Sequence, residues 1–215
     1  MYRPLAVSAL LILGSIPPGS RADERIADPP TVIADRGKLL VDEDLSQPIE
    51  GQKIASLSKL SSGWRFKPGK WEFVDGVLQG TQIEEEHHWG VASRAFAFKD
   101  AIIQVDCQLH GAGRLTLRVN DANEHICRVV LSKLGFSAQR DDHDHEGPDQ
   151  AVPFGEVKMR IAPDDWKTIL LEIKGDEMAA SIDGQSITGS NPLIGQPKAS
   201  IGLVAGGNSA RFRNL

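Results

Sequence analysis

Cationic excess is missing from these 215 residues: 24 Lys and Arg stand against 29 Asp and Glu, a formal charge of -5, so no basic surface argues for nucleic acid or an anionic membrane. Cysteine is scarce. Cys107 and Cys127 are the only two, enough for one disulfide in an oxidising compartment, but both fall at the apolar phase of strand-like segments, where two buried thiols are the first expectation. No run beyond the N-terminus approaches the length of a transmembrane helix, and no window carries an amphipathic helix of three turns. A Gly-x-Ser-x-Gly elbow, a phosphate loop, a dinucleotide fingerprint and a clear zinc motif are absent too, which removes the signatures of several common enzyme classes.

What is present begins with an export signal. Arg3 precedes the apolar stretch Leu5 to Ile16, then Pro17-Pro18-Gly19 and the small-x-small sequence Ser20-Arg21-Ala22. This pattern predicts a signal peptide over 1–22, cleaved near Ala22, and a secreted or periplasmic mature protein with no membrane span. Residues 23–34, rich in Pro and charge, read as a flexible leader, and 35–215 as one domain with a sizeable core.

Period-2 segments bounded by Gly, Asn and Asp-Gly recur along that domain, which predicts an all-β, two-sheet antiparallel sandwich. Two hairpins turn at Asp75-Gly76 and Asp183-Gly184, because Asp-Gly accepts the positive φ angles of a type I′ turn. Further strands are expected at Lys38–Asp44, Gly90–Phe96, Ala101–Leu109, Arg114–Asn120, His125–Leu131, Phe136–Arg140, Trp166–Lys174, Ala199–Val204 and Arg211–Asn214. Alternation then assigns faces. Ile103, Val105 and Cys107 oppose Gln104 and Asp106; Leu115, Leu117 and Val119 oppose Thr116, Arg118 and Asn120; Cys127 and Val129 oppose Ile126 and Arg128; Phe136 and Ala138 oppose Ser137 and Gln139. If these consecutive strands are neighbours, Gln104, Asp106, Arg118, Asn120, Arg128 and Gln139 share one polar surface. Such planar, multi-donor groups suit hydroxyl and carbonyl ligands, although a wetted sheet face is the plain alternative.

Two loops concentrate carboxylate and imidazole. Asp141-Asp142-His143-Asp144-His145-Glu146 leaves the last of those strands, and Glu84-Glu85-Glu86-His87-His88-Trp89 precedes Gly90. Either is a solvated loop or a source of general acids and bases. Trp89 could stack on a pyranose ring, and the second loop forms a wall of the same pocket only if both lie at one rim. His110 and His125, bordering strands, read as structural or exposed.

At this point the chain resembles the secreted 3-keto-disaccharide hydrolase domains, whose fold is a concanavalin A-like jelly roll. The likeness rests on Gly63-Trp64, on Trp71-Glu72-Phe73-Val74-Asp75-Gly76-Val77-Leu78-Gln79-Gly80, on Phe98-Lys99-Asp100-Ala101-Ile102-Ile103, on Leu115 to Asp121, and on Gly135 to Asp142. It spans about Lys38 to the C-terminus. Ser137 stands where the family often has Glu, the family's Asn-Ser-Gly sequence is not recognisable, and the chain ends at Leu215 where many relatives continue, which suggests a truncated product or a subfamily variant.

The resemblance implies cleavage of 3-keto-glucosides: the ketone acidifies the C2 proton, an enolate expels the C1 substituent, and water adds to the resulting glycal. Asp142, His143 and His145 are then candidate acids and bases; Arg118 and Arg128 would stabilise negative charge, and Asn120 and Gln139 would hold hydroxyls. A divalent cation, held by ligands drawn from Asp141, His143, Asp144 and His145, is the alternative electrophile. Two readings from other classes stand beside the enzyme: a noncatalytic carbohydrate-binding module, and a surface interaction domain whose acidic loops hold calcium.

Overall fold

The computed structural model describes residues 28–45, 63–143, 146–147 and 150–215. The segment 1–22, expected to be an export signal, lies outside the described residues together with Asp144 and His145. Among the described residues, fourteen strands form two seven-stranded antiparallel sheets, ordered β1-β4-β13-β6-β7-β8-β9 and β12-β11-β10-β5-β14-β3-β2. The first sheet is built from β1 (Trp64–Phe66), β4 (Gly90–Phe98), β6 (Ala112–Asn120), β7 (His125–Ser132), β8 (Gly135–Arg140), β9 (Val152–Lys158) and β13 (Lys198–Gly207). The second holds β2 (Lys70–Val74), β3 (Val77–Thr81), β5 (Ala101–Gln108), β10 (Lys167–Lys174), β11 (Glu177–Ile182), β12 (Gln185–Ser190) and β14 (Ala210–Arg213). This is the two-sheet sandwich expected from the alternation, and the jelly roll that the resemblance implies.

Both Asp-Gly hairpins form as the turn chemistry requires, with φ of 51° and 78° at Asp75-Gly76 and 49° and 76° at Asp183-Gly184. The core lies between the inward faces, where Leu115, Leu117, Val119, Val129 and Leu131 of the first sheet meet Val105, Ile169, Leu171 and Phe212 of the second. Cys107 and Cys127 are free and fully buried here, on different sheets. Burial first, and then the Asp141 carboxylate, pushes the Cys127 thiol up to about 12.

Two expectations need correction, and one strand falls outside those expected. Lys38–Asp44 is not a strand: Leu39 and Leu40 are 70% and 62% exposed, and only the backbone of Glu43, Asp44 and Leu45 is tied down, to Leu215, Asn214 and Leu78. Val152–Lys158 is a strand despite Pro153 and Gly155, because β9 sits at a sheet edge where Pro leaves no ladder bond unmade. A register shift in β7 pairs Asn120 with His125 and Val119 with Cys127, so Ile126 joins Cys127 in the core and His125 turns outward.

The outward faces are treated differently. On the second sheet, the Glu172 carboxylate is fully buried and accepts the backbone N–H groups of Val32, Ile33 and Ala34 at 2.7, 2.9 and 2.9 Å. Residues 28–34, which composition assigns to a leader, therefore run across that sheet. No described segment lies in this way across the first sheet's outward face.

Candidate functional site

The single polar surface expected from four consecutive strands is divided. β5 crosses to the second sheet through His110-Gly111, so Gln104 and Asp106 lie on the opposite side of the sandwich from Arg118. Gln104 accepts from Arg36 there at 3.0 Å. Asp106, 2% exposed, accepts from Thr168 at 2.6 Å and Asn214 at 2.8 Å, a structural network that leaves it no room to bind substrate. Alternation gives the side of a strand but not the sheet it enters, and that is why these two residues were misplaced.

The remaining residues do converge. Cα register sets Arg118 opposite Arg128, Arg128 opposite Gln139, and Gly202 opposite both Arg118 and Ser93, with Arg65 next to Ser93. One row thus crosses the outward face: Arg65, Ser93, Gly202, Arg118, Arg128, Gln139. Like charges directly opposite across a ladder are unfavourable, so an Arg118–Arg128 pair needs a compensating anion. Asp141 supplies part of it, fully buried, accepting from Arg128 Nε at 2.5 Å and Gln139 Nε2 at 2.9 Å. Arg118 is held differently. Its Nη1 donates to His125 Nε2 at 2.8 Å, and its buried Nε has no partner.

That contact fixes a tautomer. Arginine can only donate, so His125 accepts on Nε2, carries its proton on Nδ1, and donates to Asn120 Oδ1 at 2.9 Å; Asn120 in turn donates to Ser200 Oγ at 2.9 Å. Burial, and next the Arg118 guanidinium, push His125 down to about 4. Burial and the adjacent Arg128 likewise pull Arg118 below its ordinary value, against the opposing carboxylates of Asp141 and Glu124. The unfolded chain takes up a proton at His125 near pH 6.5, whereas the folded chain resists until about 4. His125 therefore makes stability fall as pH drops through that window, and urea unfolding midpoints at pH 7 and pH 4.5 should show a loss that His125→Asn reduces.

A second pair stands at the same end of the sheet. His143 Nε2 lies 2.7 Å from Asp121 Oδ2. Asp121 Oδ1 is held by the backbone N–H groups of Asn123 at 2.7 Å and Glu124 at 2.6 Å. Burial opposes ionisation of Asp121, but these two donors and His143 outweigh it and keep the carboxyl below its usual range. A carboxylate accepts, so His143 donates from Nε2 and its Nδ1 is left to take a proton. Asp142 adjoins it, half-buried, with Oδ2 buried and unpartnered.

The two acidic-imidazole loops lie at opposite ends of the strands. Gly90 belongs to the level of Ala205, Leu115 and Leu131, whereas Arg140 belongs to that of Cys127 and Val119. Leu115 and Val119 are four residues apart in β6, ~13 Å along a strand. Trp89 therefore shares the open face with Arg118 but not its end. Of the four expected cation ligands, Asp141 is committed to Arg128 and Gln139, and His143 faces Asp121; among the described residues no group of three or more His, Cys, Asp or Glu side chains is placed to hold a metal. A cavity of about 740 Å³ lies elsewhere, between 34–41 and the ends of β4 and β5, lined by Leu39, Leu40, Phe96 and Ile103; of the expected site residues it includes only Gln104.

Asp121, Ser200 and Gly202 are not among the residues that the sequence singles out, and His125, read there as structural or exposed, is turned onto this face by the β7 register shift. Ser200 and Gly202 become visible only when β13 is seen to lie between β4 and β6. Asp121 left one faint signal, a carboxylate at the turn after β6.

With the geometry in hand, comparison defines the class: a two-sheet antiparallel jelly roll. The fold is similar to the carbohydrate binding module CBM66 from Bacillus subtilis, with a TM-score of 0.58, 16% identity, and coverage of 71% of this chain and 92% of that one. It is also similar to the Crh5 transglycosylase in its apo form, with a TM-score of 0.52, 12% identity, and coverage of 81% and 83%. At such identities the likeness is one of fold. No family model matches the chain, and no curated protein does. Among the described residues no helix is long and apolar enough to cross a membrane.

Proposed function

We propose that the chain is an exported carbohydrate-active domain that cleaves 3-keto-glucosides on the outward face of its first sheet. The observation that carries this reading is His143, oriented through Nε2 by Asp121, at the same end of the face as two adjoining guanidiniums. His143 Nδ1 removes the C2 proton, and the C2–H electron pair forms the C2=C3 enolate. Arg118 and Arg128 bear the charge on its oxygen. Collapse of the enolate restores the ketone, forms C1=C2 and breaks the C1–O bond. The imidazolium returns its proton to the departing oxygen. Water then adds across C1=C2, oxygen to C1 and hydrogen to C2. Asn120 and Gln139 stand beside the arginines to orient hydroxyls, although each is already engaged, with Ser200 and Asp141 respectively. Asp142 and His145 remain as further proton-transfer candidates on the same loop.

The noncatalytic sugar-binding reading has an observation of its own: Ser137, not Glu, faces outward beside Val130, so β8 offers no carboxylate there and the nearest one in that row is the exposed Glu156 at the edge strand β9. Incubation of the purified protein with an aryl 3-keto-glucoside separates the two. Release of the aryl alcohol is expected, and a chelator arm shows whether a cation takes part. Saturable binding without release would overturn the enzyme reading and leave a binding module.

A further inference from the structure

The open face continues past the arginine pair. Along β6 the outward side chains run Arg114, Thr116, Arg118, and the middle one is anomalous: Thr116 faces outward yet is 2% exposed, and its buried Oγ1 has no partner. Val204, paired with it in β13, is 3% exposed. These two form a floor walled by longer side chains. Above the next level, Trp89 leans over Gly206, where a Cβ would come within 3.2 Å of indole Cδ2, so only glycine lets the ring lie so close to the strand. The Arg114 guanidinium stands 5.2 Å from the Trp89 ring centroid and makes no ion pair among the described residues.

A half-exposed indole and an exposed guanidinium thus adjoin on this face, beside a floor of Thr116 and Val204. Trp89 lies over Gly206, four residues of β13 from Gly202, ~13 Å along the strand. Indole offers an apolar surface to the C–H face of a pyranose, while guanidinium donates to its oxygens. The separation exceeds one sugar ring. Resting on the cleavage reading above, we infer that Trp89 and Arg114 form a second sugar subsite for the leaving-group side of an oligosaccharide, so that the substrate is a glucoside chain.

The test is a series of β-linked glucose oligomers of increasing length, each oxidised at C3 of its non-reducing ring, with kcat/KM followed by release of the shortened oligomer. The parent should improve as rings are added beyond the disaccharide. Trp89→Ala should cancel that gain, roughly tenfold and mainly in KM, while leaving the disaccharide within about twofold. Arg114→Ala should cancel part of it. Rates independent of length in the parent, or a loss in Trp89→Ala equal at every length, would overturn the subsite. Arg118→Ala is the separate control: loss of turnover at all lengths supports the cleavage reading, and unchanged turnover sinks that reading whatever Trp89 does.

Discussion

Replacing His143 with alanine is expected to slow aglycone release from a 3-keto-glucoside by about 10²- to 10⁴-fold, the range that one positioned proton-transfer group contributes. The expectation rests on geometry. His143 gives one nitrogen to Asp121 at 2.7 Å, and Asp121 is itself held by two backbone N–H groups, so the imidazole has one orientation and one tautomer in which its other nitrogen accepts. Asp121→Asn should therefore also slow the reaction, by favouring the wrong tautomer, with a smaller loss because the imidazole remains. His143 is partly exposed, at 28%, and its alanine variant should unfold at nearly the parent's urea concentration. A release rate in His143→Ala within threefold of the parent would remove His143 from the chemistry.

The largest expected effect on stability comes two residues earlier. Asp141→Ala should cost about 3 kcal/mol, because it strands the part-buried Arg128 opposite Arg118 and removes the acceptor for Gln139 Nε2. Asp142→Ala should cost less than about 1 kcal/mol, because its buried Oδ2 has no partner to lose. Urea unfolding of the two variants side by side measures the difference. Equal losses would show that Asp141 is not the counter-charge that lets two arginines face each other. Adjacent acids in one loop are indistinguishable by composition, and it is the bonding of Asp141 that separates them.

The sandwich was legible in the sequence because its signals are local. Asp75-Gly76 and Asp183-Gly184 specify their turns, and alternation in Leu115-Thr116-Leu117-Arg118-Val119 specifies which side chains leave the core. The site was legible only in part, because it depends on which strand lies beside which. β13, nearly 80 residues beyond β6, supplies Gly202 and Ser200 to the centre of the face, while β5, immediately before β6, goes to the other sheet. Neighbourhood in sequence predicted the reverse for Gln104 and Asp106. His125 was hidden for a different reason: the β7 register shift breaks the period-2 rule at that residue and at Ile126. Arg118, Arg128 and Gln139 survived because β6, β7 and β8 are consecutive both in sequence and in the sheet.

The central claim is that sugar lies on the outward face of the first sheet. It is tested most directly by titrating the isotopically labelled His143→Ala variant, which should bind without consuming its ligand, with a 3-keto-glucoside and mapping the perturbed backbone amides. The predicted perturbations cluster at Ser93, Gly202, Arg118 and Arg128. Perturbations confined to Thr168, Ser181 and Asp183 on the opposite sheet, or none at saturating sugar, would contradict it.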